Sequence, residues 1–117
     1  MSEQDKQLIE AAYKYFNARD IDQVCVLLHP DVHWPNGWEG GYVEGHAGVS
    51  DYWTRQWKEL DPTVQPIVFT EMENGQIEVE VHQVVNDLTG HLLADIIVKH
   101  IYTLENGLIK SMEIVHP

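Results

Sequence analysis

Positive charge is what this sequence has least of: seven Lys and Arg stand against nineteen Asp and Glu, a formal charge of -12. A surface of that sign repels phosphate backbones and anionic bilayers, so nucleic acid and membrane are excluded as expected partners. Cysteine is reduced to Cys25. No internal disulfide can form, and the neighbours Val24, Val26, Leu27 and Leu28 predict a buried thiol and a cytoplasmic setting. No apolar run approaches membrane-spanning length, and the opening MSEQDKQ lacks the basic and apolar segments of a secretion signal. Repeats, low-complexity tracts and linkers are missing, and 117 residues of 44% hydrophobic content suit one domain, residues 1–117. Glycine-rich phosphate loops, nucleophile elbows and paired metal-ligand motifs are also lacking, so the expectation is no cofactor and no metal.

What is present reads as α+β. Ser2 and Asp5 form a capping pattern ahead of Leu8, Ile9, Ala12, Tyr13 and Phe16 at helical spacing. Asp20 can cap a second helix with Ile21, Val24, Cys25 and Leu28 inward, stopped by His29-Pro30, and Asp31 to Pro35 reads as a short strand. Val49, Tyr52, Trp53, Trp57 and Leu60 share one face of a third helix that runs to Pro62. Four β-rich runs follow, residues 64–72, 77–86, 92–104 and 108–115, separated by turn sequences. The pattern is three helices and then an antiparallel four-stranded meander.

Turn lengths set provisional strand partners. A loop at 87–90 places His82 opposite Asp95, Glu78 opposite Lys99 and Val84 opposite Leu93. A two-residue Asn106-Gly107 turn places Lys99 opposite Ile114, Ile101 opposite Met112, Ile97 opposite His116 and His100 opposite Glu113. One face then collects Glu78, His82, Asp95, Lys99 and His116 with Ile97, Ile101, Met112 and Ile114. The other carries Val79, Val81, Val98 and Tyr102. Both faces bear apolar side chains, so both need cover, and a second copy of the chain is the expected cover for the face that the helices leave bare.

The stretch "WPNGWEGGYVEG", residues 34–45, crowds two tryptophans and a tyrosine among glycines. Aromatic side chains around a concavity suit a small apolar or aromatic ligand, with Trp38 and Tyr42 as lid or wall. His82 beside Asp95 is the acid–base candidate, because a carboxylate on one ring nitrogen sets the tautomer and leaves the other nitrogen to move a proton. The same pair also reads as a structural cross-strand contact. Lys99 is the candidate to support a developing enolate, with Glu78 as a simple salt-bridge alternative.

The strings "NARDIDQVCVLLHPDVHWP", "GHAGVSDYW" and "KHIYTLENGLIKSMEI" resemble the nuclear transport factor 2-like superfamily, shared by ketosteroid isomerase, scytalone dehydratase and the SnoaL-like cyclases; the resemblance spans nearly the whole chain. It implies a cone of three N-terminal helices on a strongly curved antiparallel sheet. It further implies that the face with Lys99 and Met112 is concave and that Trp34, Asn36, Tyr52 or Trp53, and Trp57 close the cavity. The isomerase's base, oxyanion tyrosine and protonated aspartate fall near Asn36, Ala12 and Lys99, and none is kept, so steroid isomerisation by that route is not expected. Two functions stay open: a cofactor-independent isomerase, cyclase or dehydratase using His82, Asp95 and Lys99 on a ligand held by Trp34, Asn36, Trp38, Trp53, Trp57, Met112 and His116, or a non-catalytic binding or dimeric assembly module.

Overall fold

A computed structural model describes residues Met1–Pro117. Helix α1 covers Glu3–Asn17; the Ser2 hydroxyl accepts from the Asp5 amide and the Asp5 carboxylate accepts from the Ser2 amide, so the capping pattern forms. Ile9, Ala12 and Tyr13 are its buried stripe. Helix α2, Ile21–Leu27, is capped by Asp20 and ends when Leu28 turns extended, three residues short of Asp31 where a strand was expected. Strand β1 therefore spans Leu28–Pro35. Cys25 is only half-buried, and Val24 is the buried residue of α2.

The glycine-rich stretch after Pro35, to which no element was assigned, contains a strand, β2 (Tyr42–Glu44), antiparallel to β1. Helix α3, Gly45–Gln56, stops short of Leu60. Asp61 precedes Pro62, which favours extended backbone, and pairing with β4 draws Leu60 into strand β3, Leu60–Glu71. Pro62 and Pro66 are tolerated there because β3 is an outer strand with one side unpaired. Strands β4 (Ile77–Asp87), β5 (Leu92–Glu105) and β6 (Leu108–Val115) complete the chain. The sheet is six-stranded in the order β2-β1-β6-β5-β4-β3. It is mixed rather than purely antiparallel, since β1 runs parallel to β6.

Two irregularities decide what faces inward. Between β4 and β5, the Asp87 carboxylate gathers the Thr89 and His91 amides, which adds His91 to the loop. A shift between Val85 and Asn86 then leaves Leu93 without a partner. Together these move the register by two from Ala94 onward, so the side chains of that part of β5 stay on their expected faces; Asp95 lies opposite Val84, and Lys99 opposite Glu80. Between β5 and β6 the Asn106-Gly107 turn forms as expected, both residues at positive φ (53° and 76°). A bulge at Lys110 follows, and it moves the register by one. Met112 pairs with Tyr102, Ile114 with His100, and Val115 with Lys99.

That single step inverts the assignment of faces. The inward face carries Val79, Val81, Val98, Tyr102 and Met112, all buried under α1 and α3, together with His100. The face expected to be concave, with Glu78, His82, Asp95 and Lys99, is the outer one. Val79, Val81 and Val98, expected on the face left for a second copy to cover, are core.

Candidate functional site

Between the inward face and helices α1 and α3 lies a cavity of about 230 Å³ lined by 21 residues, 14 of them hydrophobic. Trp34 and Trp53 form a wall, with rings at right angles and centroids 5.6 Å apart. Trp38 stands at the mouth, partly exposed. Met112 and His116 also line the cavity, so five of the seven expected ligand residues converge.

Asn36 and Trp57 stand behind the wall. Asn36 is buried, and its Oδ1 accepts from the amides of Trp38 (3.2 Å) and Glu39 (2.7 Å) while its Nδ2 donates to Glu39 (2.9 Å). It shapes the loop that presents Trp38. Glu39 in turn takes Arg55 of α3 at 2.5 Å, so the loop is tied to that helix. Trp57 stacks on Trp53 at 5.7 Å with the Arg19 guanidinium 5.0 Å over its ring. Tyr42 is no part of the wall: it lies exposed on β2, stacked on His33 and donating to Glu113 at 2.6 Å.

His82 and Asp95 do meet, Nε2 to Oδ1 at 2.6 Å, as diagonal neighbours two residues off the expected register. Lys99 reaches Glu78 at 3.5 Å across the corresponding diagonal. All four point away from the cavity; His82 and Asp95 are 42% and 53% exposed. The bulge at Lys110 separates them from Met112 and Ile114, which it carries to the opposite face of the sheet.

The polar end of the cavity is instead made by Tyr13 and His100, whose hydroxyl and Nδ1 lie 2.8 Å apart in a buried contact. Tyr13 comes from the inward stripe of α1, and His100 from the inward alternation Val98, His100, Tyr102 of β5. Burial, and then the charge of His116, lower the His100 pKa to about 4, so the imidazole is neutral at ordinary pH. Burial, and then the neighbouring Tyr102 hydroxyl, push the Tyr13 hydroxyl far above its usual range, so it keeps its proton. No Asp, Glu, Lys or Arg lines the cavity. The sequence did hold a signal for this site: a histidine in an otherwise apolar inward alternation is a polar group that needs a buried partner.

The family model for the SnoaL-like domain matches residues 9–112. The chain belongs to the SnoaL-like family. Among solved structures, a nuclear transport factor 2-like protein of unknown function from Burkholderia pseudomallei is 25% identical, with a TM-score of 0.84 over 100% of this chain and 92% of that one. TerC, crystallised with polyporic acid, is 28% identical with a TM-score of 0.84, covering 98% and 92% of the two chains. A Mycobacterium tuberculosis protein in complex with estradiol-17beta-hemisuccinate, 15% identical with a TM-score of 0.80 over 95% and 92%, shares the fold. No curated protein matches the sequence. In this SnoaL-like chain, Tyr13 and His100 stand one residue beyond Ala12 and Lys99, the places to which the isomerase comparison pointed.

Proposed function

We propose that the chain binds a small ring-bearing carbonyl compound in the cavity and moves a proton on it without a cofactor. The observation that carries this reading is the Tyr13–His100 contact at the polar end of an otherwise aromatic and aliphatic chamber. One proton lies between the two groups, and it has two useful positions. With Nδ1 protonated, His100 donates to the Tyr13 oxygen, and the tyrosine hydroxyl is free to donate to a ligand oxygen. A donor already in place in a dry site stabilises the negative charge that grows on a carbonyl oxygen during enolisation. The other nitrogen, Nε2, is then the acceptor. A carbonyl compound among indole rings also fits the ligand classes seen in TerC and the mycobacterial relative.

Native mass spectrometry of freshly purified protein should reveal a carried organic molecule, and that molecule or its analogues define the turnover assay. Tyr13→Phe and His100→Gln are expected to lower turnover about 100-fold or more while changing ligand affinity less than about tenfold. Turnover at wild-type level in both variants would refute the assignment.

A second reading, retention of the molecule without chemistry, is favoured by the lack of any carboxylate in the lining and by the weak basicity of a buried His100. Under it, wild type consumes no ligand, while Trp53→Ala still weakens binding. The roles once expected of His82, Asp95 and Lys99 are not part of either reading. Their face has another proposed use. It carries Val68, Val84, Ile97, Ile101 and Val115 among its charged pairs, and we propose that it pairs with a second copy of the chain.

A further inference from the structure

The chain has nineteen Asp and Glu side chains, and the folded molecule keeps all of them out of the cavity. Its wall contains only two basic side chains, the imidazoles of His100 and His116. They sit at one end. His100 pairs across the sheet with Ile114, and His116 follows two residues later on the same inward side. His116 is also near enough for its charge to disfavour protonation of His100.

An uncharged ligand needs only one donor for its oxygen, and the Tyr13 hydroxyl supplies it. A second imidazole at the same end adds nothing for such a ligand, and it repels the first whenever both carry protons. A negative oxygen between the two rings reverses that repulsion. The Tyr13 hydroxyl stands beside His100, and, the two imidazoles apart, every other polar group of the lining is neutral. A permanent Lys or Arg charge would cost desolvation in the empty chamber, whereas a histidine becomes charged only as the anion enters.

We infer that the cavity takes its ligand as an organic acid, the anionic oxygen held where His100 and His116 meet and the rings lying against Trp34, Trp38 and Trp53. The inference rests on the pocket reading above and narrows it: the substrate class becomes aromatic carboxylic, enolic or phenolic acids, and His116 becomes a specificity-determining residue.

The test is calorimetric titration of the intact protein with a naphthoate and with its methyl ester at about pH 6. The acid is expected to bind at least about tenfold more tightly than the ester, and His116→Gln should bring the two affinities close together. His116 is exposed near the end of the chain, so that variant is expected to fold. An ester that binds wild type as tightly as the acid overturns the inference and leaves the pocket reading standing. A ratio unmoved by His116→Gln overturns the role of that residue and, with it, the proposed placement of the anion. If neither probe binds, the pocket reading falls and takes the inference with it.

Discussion

Burial takes the imidazole of His100 out of water and His116 adds its repulsion, so the folded chain holds that ring neutral down to about pH 4. The unfolded chain protonates the same ring near the ordinary value of 6.5. Because the folded pKa lies below the unfolded one, the stability that this residue contributes is complete above about pH 6.5 and is lost as pH falls towards 4. The full loss is about 3 kcal/mol. Glu39 and Asp87, whose carboxylates are held low chiefly by Arg55 and by Thr89, act in the same direction but only below their own ordinary values of 4.5 and 3.8. Between pH 6.5 and 4.5 the slope therefore belongs mainly to His100. Thermal melts over that interval should show a clear fall for wild type and a flatter line for His100→Gln. Equal slopes would mean that the ring is already solvated.

At the level of the elements, the legible parts are those written in short stretches of chain. Ser2 with Asp5, Asp20 before α2, and Asn106-Gly107 between β5 and β6 each state their structure locally, and each forms. The extra residue at Lys110 has no such statement. It is chosen by the joint packing of Met112 and Ile114 under the helices, a long-range preference that no turn sequence carries. The parallel pairing of β1 with β6 is similarly non-local. His82 and Asp95 show how a right contact can come from a wrong partner list: a two-residue error in register leaves both side chains on one face and within diagonal reach. The site failed to be read for the opposite reason, since a one-residue error moves a whole strand through the sheet.

The loop from Asn36 to Gly41 is an element whose order depends on one side chain. Asn36 satisfies two amides and holds Glu39, and Gly40 and Gly41 adopt positive φ to bring the chain back to it. Asn36→Ala leaves those amides without their buried acceptor, which costs about 1–3 kcal/mol. The denaturation midpoint should fall with little change in the slope of the transition, and ligand affinity should weaken because Trp38 loses its support. A midpoint equal to wild type would show that Glu39 and Arg55 hold the loop unaided.

For the whole molecule, the sheet has one face under helices and one bare. Ile97 and Val115 on the bare face are 42% and 44% exposed, beside half-buried Ile101 and Val84. Apolar side chains in that concentration on a strongly acidic chain are best explained by a two-fold contact, in which the same stripe covers itself. The charged residues there are already paired internally, His82 with Asp95 and Lys99 with Glu78, so the stripe can approach its copy without stranding a lone cation. Ile97→Asp places a further carboxylate in the stripe while leaving the inward face and the cavity untouched. Light scattering should report a dimer for wild type and a folded monomer for the variant, with the naphthoate titration unchanged because the binding groups all belong to one chain. A wild-type monomer across the accessible concentration range would leave the bare face to some other partner.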